Sequence, residues 1–252
     1  MALTWRAKRQ LLFLGIFGAI LGVILWGLFS KLVPSPSCTD GRQNQQEEGV
    51  DCGGPCVPCA RNAKEPVILW TRFFPLTQGH FEAASLVENV NPNFGAKSAS
   101  YRLRLYDAKN ILIASKEGKT FINPGERFVI YEPDIAVFKR VPVRAALEFS
   151  PVLWAPPDRD KPQLLVTEKE FQNDPVGKVR LKLRNEGLFA IENIEIAAVL
   201  LDAGGNAAGT SVSRVSRLEG EKELELFFTW RAPFEEPPEK VEIFWRINRF
   251  GK

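Results

Sequence analysis

The chain has 252 residues, of which 25% are charged and 45% hydrophobic, so its composition is globular and excludes a disordered or collagen-like chain. Residues 1–33 carry Arg6, Lys8, Arg9 and Lys31 but no acidic residue, which leaves the remaining chain nearly neutral. A neutral body argues against a nucleic-acid-binding protein, which needs a basic surface. The single histidine, His80, argues against a multi-histidine metal site and against histidine-based catalysis.

The N-terminal region predicts a membrane anchor. Residues 11–30 contain no charge, and a helix of this length crosses the roughly 30 Å hydrocarbon core of a bilayer. Basic residues precede it, and Trp5 and Trp26 lie near its ends. We predict a cytoplasmic basic tail at 1–10, a transmembrane helix at 11–33 and an extracytoplasmic remainder, so that the chain is a single-pass protein of the cytoplasmic membrane.

A cleaved signal peptide is the alternative, but its apolar core is typically 7–15 residues, shorter than the one found here. Gly18 and Gly22 form a GxxxG pattern, and Gly15 with Ala19 forms a second pair of small residues. These spacings allow two helices to pack closely, so homo-oligomerisation through Gly18 and Gly22 is one interpretation. The other is a monomeric span, since glycine is common in transmembrane helices.

All four cysteines lie in a juxtamembrane module that we predict at 34–62: Cys38, Cys52, Cys56 and Cys59. An even number outside the membrane favours two disulfides, with three pairings open. Zinc is the alternative, although a zinc ribbon usually has two closely spaced pairs. A thiol oxidoreductase is less favoured, because no βαβ pattern surrounds the last two cysteines.

Oxygen-bearing side chains form a second pattern in this module. Asp40, Asn44, Glu48 and Asp51 recur every three or four residues, a spacing at which hard oxygen ligands could hold calcium. The spacing differs from that of an EF-hand. We favour the interpretation that Asp40 and Gly41 form a turn, with Asp40 capping a short helical turn.

The module has the pattern C-x-D-G-x-x-N-x-x-E-x-x-x-D-C-G-G-x-C-x-x-C between residues 38 and 59. This pattern resembles a short cysteine module found in many surface and secreted bacterial proteins. The resemblance implies a surface location and no activity. Its acidic position falls at Glu47, so the alternative calcium set comprises Asp40, Asn44, Glu47, Glu48 and Asp51; we otherwise predict no cofactor.

Beyond residue 60, two segments align with an offset of about 95 residues, which indicates a duplication. The matches pair Asn89 with Asn185, 102–110 with 198–206, 124–126 with 219–221, and 146–149 with 240–243.

Both copies predict β-strands. Val179, Leu181 and Leu183 alternate with basic residues, as in a half-buried strand. Short strands without helical periodicity favour a sandwich. The predicted fold is therefore mainly β, with two tandem immunoglobulin-like sandwiches at 63–153 and 163–252. The proline-rich segment 151–162 predicts a semi-rigid joint, with the linker itself at 154–162.

The first copy contains Leu103-Arg-Leu-Tyr-Asp107 followed by Pro124-Gly125-Glu126. These residues resemble FxLYD-type and related late-embryogenesis-like β-sandwich domains of bacterial envelope proteins. The second copy has Val199-Leu-Leu-Asp202 and Glu219-Gly220-Glu221, and so lacks the tyrosine and the proline. The resemblance implies structural or binding modules.

No catalytic arrangement is evident. There is no nucleotide-binding glycine loop, and His80 has no acid–base partner by spacing. Basic rows on two strands, at 102–104 and 180–184, are typical of solvated faces, with binding of an anionic polymer as the alternative. Aromatic residues at 227–230 and 244–245 are typical of a core, with a protein interface as the alternative.

These observations predict a structural or binding protein that is not an enzyme and has a protein partner in the envelope. The second hypothesis is an accessory subunit of a secretion or pilus-type assembly. The third is an enzyme that modifies envelope polymers, which would need paired carboxylates across a cleft.

Overall fold

The computed structural model describes residues 5–32, 38–44 and 46–251. The chain forms two compact units, residues 1–61 and 62–252. The first unit contains helix α1 (Trp5–Leu32) and the cysteine module, and a 3-10 helix follows at Cys59–Asn62. The predicted apolar helix is therefore confirmed. The predicted end of the span, residue 33, and the predicted start of the module, residue 34, lie outside the described residues.

The second unit begins with a sandwich of two three-stranded antiparallel sheets, ordered β1-β2-β5 and β4-β3-β6. Buried side chains from both sheets, including Val87, Leu103 and Phe128, form one hydrophobic core. The strands are β1 (Val67–Thr77), β2 (His80–Glu88), β3 (Ala96–Tyr106), β4 (Leu112–Ile122), β5 (Arg127–Ala136) and β6 (Arg144–Phe149).

The second sandwich repeats this topology, with sheets ordered β11-β8-β7 and β10-β9-β12. Its own core includes Leu181, Ile196 and Phe228. The strands are β7 (Leu164–Gln172), β8 (Lys178–Asn185), β9 (Ile191–Leu201), β10 (Ala207–Leu218), β11 (Glu223–Thr229) and β12 (Lys240–Arg246). The mainly β fold with tandem sandwiches is confirmed. In β8 the period-2 pattern has the expected consequence, because Val179, Leu181 and Leu183 are fully buried while the basic residues between them face outward.

The two copies share a buried asparagine at the end of their second strand. Asn89 donates through Nδ2 to the carbonyl oxygens of Phe94 and Asn123 at 2.7 and 2.8 Å. Asn185 donates in the same way to Phe189 and to the carbonyls at positions 218 and 219. In each copy one amide side chain therefore joins the loop after the second strand to the turn before the fifth.

The hydrogen bonds correct the alignment of the copies. Asp107 accepts from the backbone of Ile111 as Asp202 does from Asn206, so Asn110 corresponds to Gly205, and both have positive φ. The glycine of the first-copy turn, Gly125, corresponds by its hydrogen bonds to Glu221. The predicted matches 102–110 with 198–206 and 124–126 with 219–221 are therefore wrong by one residue.

The match of 146–149 with 240–243 is wrong by two residues. Leu147 pairs with Leu103 in β3, and Ile243 pairs with Ala198 in β9, so these two residues are the equivalent ones. A shift by two keeps each side chain on the same face of a strand, because side chains alternate with period 2. The hydrophobic pattern alone consequently could not detect the error.

The sandwiches pack against each other through outer sheet faces, which the interpretation of residues 154–162 as a linker did not anticipate. Strand β5 approaches β12, and β1 approaches β10. The outward side chains of Ala84 in β2 and Val199 in β9 are fully buried although neither belongs to a sandwich core. Residues 62–252 thus form one compact unit, and we call the contact between sheet β1-β2-β5 and sheet β10-β9-β12 the junction.

We expect Asn89→Ala and Asn185→Ala each to lower the free energy of unfolding by about 1–3 kcal/mol, because buried carbonyls lose their donor. Asn93→Ala, on the same loop as Asn89 but exposed, is the matched control and should change it by less than about 0.5 kcal/mol. Denaturant titration of the full chain in detergent measures the difference. Equal effects for Asn89 and Asn93 would contradict the bridging role.

Candidate functional site

No described protein segment covers the apolar part of helix α1. The 20-residue segment Arg9–Leu28 has a mean hydropathy of 2.5, and none of it is buried. Trp5 and Trp26 are both exposed near its ends, and the Arg9 guanidinium lies 5.2 Å from the centre of the Trp5 ring. An apolar surface of this size is unfavourable in water, which makes the helix suited to a membrane anchor or a signal sequence.

The four cysteines form two disulfides, Cys38–Cys56 and Cys52–Cys59. Disulfides are confirmed, and one of the three pairings left open by the sequence is selected. The zinc and oxidoreductase alternatives are wrong for this structure, because no described cysteine has a free thiol and Cys56 is not paired with Cys59. The bonds close loops in a segment too short to build a large core of its own.

The glycine pair in the module allows a close backbone approach. Gly53 and Gly54 both have positive φ. A Cβ at Gly54 would lie 2.4 Å from the carbonyl oxygen of Gln46, so only glycine fits there. The backbone consequently folds back tightly on itself between the two disulfides.

The oxygen-bearing residues of the module hold its turns. Asp51 accepts hydrogen bonds from the backbone N–H groups of Asp40 and Gly41 at 2.8 and 3.1 Å. Asp40 accepts from the Asn44 side chain, and buried Glu47 accepts from the Asn44 backbone at 3.1 Å. The turn at Asp40 and Gly41 is confirmed, since Asp40 also accepts from the Arg42 N–H at 2.9 Å. The predicted short helical turn after Asp40 is wrong, because the described residues 38–44 form turns and bends and Gly41 has a positive φ.

Calcium binding by this set stays a prediction that the structure does not test. In the part of the chain that the structure describes, the cluster of ligand atoms lying within 4.8 Å of one another comprises Cys38, Glu47 and Cys56. Two of its three members are the sulfurs of a disulfide and not thiolates. Asp40, Glu48 and Asp51 are outside that cluster.

The junction contains a buried arginine. The side chain of Arg246 in β12 is only 5% exposed. Its guanidinium carbon lies 3.7 Å from the ring centre of Phe121 and 4.4 Å from that of Phe128. Its Nη2 donates a hydrogen bond to the Phe121 carbonyl oxygen. The side chain of the second sandwich is therefore held between two rings of the first by cation–π contacts.

Two carboxylates compensate the charge of Arg246. The arginine Nε lies 3.8 Å from a Glu126 oxygen and 4.0 Å from a Glu195 oxygen. Burial lowers the pKa of the guanidinium, and the two carboxylates oppose that shift. Neither Arg246 Nε nor Glu126 Oε2 has a hydrogen-bond partner. The attraction between these two atoms is therefore electrostatic, without a hydrogen bond.

Two tyrosine–glutamate pairs flank the junction. Tyr131 donates to Glu82 at 2.6 Å, and Tyr101 donates to Glu132 at 2.7 Å. Burial raises the pKa of Glu82, and burial together with the neighbouring carboxylate raises the pKa of each tyrosine. These hydroxyls therefore act as hydrogen-bond donors at neutral pH.

Four residues of the basic rows predicted on the strands are paired with acids: Arg102, Arg104, Arg180 and Lys182. Arg102 and Arg104 contact Glu117 and Glu148. Arg180 contacts acids on both neighbouring strands, Glu170 at 2.8 Å and Glu225 at 3.2 Å. These contacts agree with solvated strand faces whose charges are balanced across the sheet.

The aromatic residues and His80 divide between several environments. Phe228 is in the core of the second sandwich, whereas Phe227 is exposed beneath Lys178. His80 Nδ1 lies 2.5 Å from an oxygen of Asp134, a partner that the sequence spacing did not reveal. Both side chains of that pair are exposed.

Neither Arg246 nor the junction was among the sites predicted from the sequence. A signal existed in β9, where Ile196–Leu200 is an unbroken apolar run and every residue is buried. Such a run is typical of a strand covered on both faces, in contrast to the alternation of β8. Arg246 itself follows Trp245 without any pattern that distinguishes it from a solvated arginine.

No protein-family model matches this chain, and a search of curated proteins returns no significant match. The resemblances to the cysteine module and to FxLYD-type domains therefore remain predictions.

We expect Arg246→Met to lower the free energy of unfolding by about 3–5 kcal/mol, because it leaves Glu126, 13% exposed, without its countercharge. The double variant with Glu126→Gln should recover part of that loss. Arg214→Met, which removes a 79% exposed arginine paired with Glu195, is the control and should cost less than about 1 kcal/mol. Equal losses for Arg246 and Arg214 in denaturant titrations would contradict the charge argument.

We expect loss of either disulfide to unfold the cysteine module while leaving residues 62–252 folded. The shorter loop, Cys52–Cys59, should contribute about 2.5 kcal/mol and the longer, Cys38–Cys56, about 3 kcal/mol. Limited proteolysis of the paired alanine variants, followed by mass measurement, locates the new cleavage sites. Cleavage confined to 38–59 is the expected result, and an uncleaved module would contradict it.

Proposed function

We propose that this chain is a single-pass protein of the cell envelope, with its N-terminus in the cytoplasm, whose β unit is an extracytoplasmic structural and binding module. The observation that carries the proposal is the uncovered apolar helix α1. It is followed by a module that contains two disulfides. Disulfides persist in oxidising compartments, which favours export of this segment.

The orientation rests on charge. Arg6 and Arg9 lie at the N-terminal end of α1, and basic residues beside a span favour the cytoplasmic side. Export of the segment after α1 agrees with this orientation.

The binding role rests on the form of residues 62–252. Two sandwiches joined by a buried junction make one compact unit, and such β frameworks present loops and sheet edges to partners. The proposal includes the immunoglobulin-like and FxLYD-related assignment of the two copies, which rests on the resemblance of Leu103-Arg-Leu-Tyr-Asp107 and Pro124-Gly125-Glu126 to such domains.

We expect the full chain, expressed in a bacterial host with a C-terminal tag, to stay in the membrane pellet after alkaline carbonate extraction. Protease added to spheroplasts should remove the tag, because it is outside. The mass of the recovered chain should include Trp5, since an anchor is not cleaved.

The control for this test is the double variant Leu21→Arg and Val23→Arg, in which each arginine costs about 2.5–3.5 kcal/mol at the centre of a span. It should lose membrane retention. A chain shortened at its N-terminus and released into solution would identify a signal sequence and overturn the anchor. A protected tag would reverse the orientation.

A further inference from the structure

The two sandwiches differ at one sheet edge. In the first, the chain continues beyond β6 along β3: Ser150 N–H donates to the Ser100 carbonyl at 2.9 Å, and Gly95 and Ala155 exchange two hydrogen bonds of 2.9 and 2.8 Å. Val152 and Trp154 pack against the core. Residues 150–155 therefore complete the sheet beside the start of β3 and cover the core there.

In the second sandwich the equivalent segment is diverted. Pairing of β12 with β9 ends at Arg246 and Glu195, and continued pairing would place Gly251 opposite Ala190. Gly251 instead donates its N–H to Asp158, and Phe250, the equivalent of Trp154, is buried against the first sandwich. A Cβ at Gly95 would lie only 2.7 Å from the Phe250 ring.

The diversion leaves a groove beside the start of β9, which we call the β9 groove. It has a volume of about 590 Å³ and lies between residues 187–193 and residues 247–248, with residues 159–163 at one end. On its other side β9 pairs with β10, as Ile191 does with Leu218. Among the described residues, none takes the place opposite Ala190 that Ala155 takes opposite Gly95.

The groove is apolar at its rim and balanced in charge. Leu188 and Phe189 are 76% and 84% exposed there. Of its charged residues, Glu192 is paired with Arg217 at 2.7 Å, and Arg159 and Asp160 are of opposite sign. These properties suit a segment without charged side chains. The segment that fills the equivalent place in the first sandwich, Ser150-Pro-Val-Leu-Trp-Ala155, is also uncharged.

We propose that the β9 groove binds an extended, uncharged segment of another protein, with an aromatic side chain taking the place that Trp154 takes in the first sandwich. Backbone hydrogen bonds to the edge of β9 supply affinity, and the cavity selects the aromatic residue, as in strand addition to a sheet edge. The inference rests on the proposed binding role and names its partner class.

The test uses the full chain in detergent micelles and a synthetic peptide copying residues 150–155, capped at both ends. Leu153 is exposed in the first sandwich, so a photoreactive leucine replaces it in the peptide without disturbing buried contacts. After irradiation, mass spectrometry of digests locates the adduct. We expect labelling within 187–193 or 247–248, abolished by excess unlabelled peptide.

Two peptide controls separate specific binding from adhesion. Trp154→Ala in the peptide should weaken labelling roughly 30-fold, the effect of truncating an aromatic anchor. N-methylation of the final alanine removes the donor equivalent to Ala155 N–H and should weaken it similarly. On the protein, Phe189→Ser should reduce labelling, whereas Phe138→Ser, which removes a 97% exposed aromatic elsewhere, should not.

Equal labelling by all peptides, or adducts at 95–100 in the first sandwich, would overturn the proposal. In a second sample, photoreactive leucine is placed at Leu153 of the full chain without peptide. Crosslinks from it to the groove of a second copy would replace the foreign partner by this chain itself and also overturn the proposal. Because the experiment uses purified protein, its failure leaves the membrane-extraction result unaffected. Loss of the membrane anchor would likewise leave the labelling result standing.

Discussion

The arrangement of residues 62–252 depends on a charge that cannot remain buried without partners. Arg246 extends from the second sandwich into the first, where two rings and one carbonyl oxygen surround it and two carboxylates balance it. Moving the sandwiches apart would separate Arg246 from its partners on the first sandwich, Phe121, Phe128 and Glu126, and a buried ion pair that loses one member is strongly destabilised. Apolar faces such as those carrying Ala84 and Val199 can slide past each other, whereas this charged group fixes one relative position. The junction therefore has a defined geometry.

The chain uses two different physical means to hold its parts together. The segment 38–59 is too short to bury a sizeable core, and its two disulfides and the carboxylates of Asp51 and Glu47 hold the backbone instead. The β unit relies on burial, with one core in each sandwich and a third buried layer at the junction. Reducing conditions and denaturants should consequently affect the two units independently.

Much of the fold could be predicted from local pattern, because alternation in β8 and an uninterrupted apolar segment in α1 follow directly from strand and membrane geometry. The number of disulfides was predictable from the count of cysteines, but their pairing was not, since spacing permits three arrangements. The error in matching 146–149 with 240–243 was missed because a two-residue shift preserves the facing of Leu147 and Ile243. The β9 groove arises from where residues 247–251 run in space, which no local pattern records. The junction left one local signal, the unbroken apolar run Ile196–Leu200 in β9.

The paths of Lys64 and Phe250 have a consequence for engineering. Lys64 is hydrogen-bonded to Asn91, and Phe250 lies against Gly95, only four positions along the same loop. The first and last segments of residues 62–252 therefore lie close together at one loop. New ends could be cut at the exposed turn containing Gly205 and the old ones spliced by a short linker, since circular permutation succeeds where ends lie close together. The same geometry would allow the whole unit to be inserted into a surface loop of a host protein as a rigid display platform.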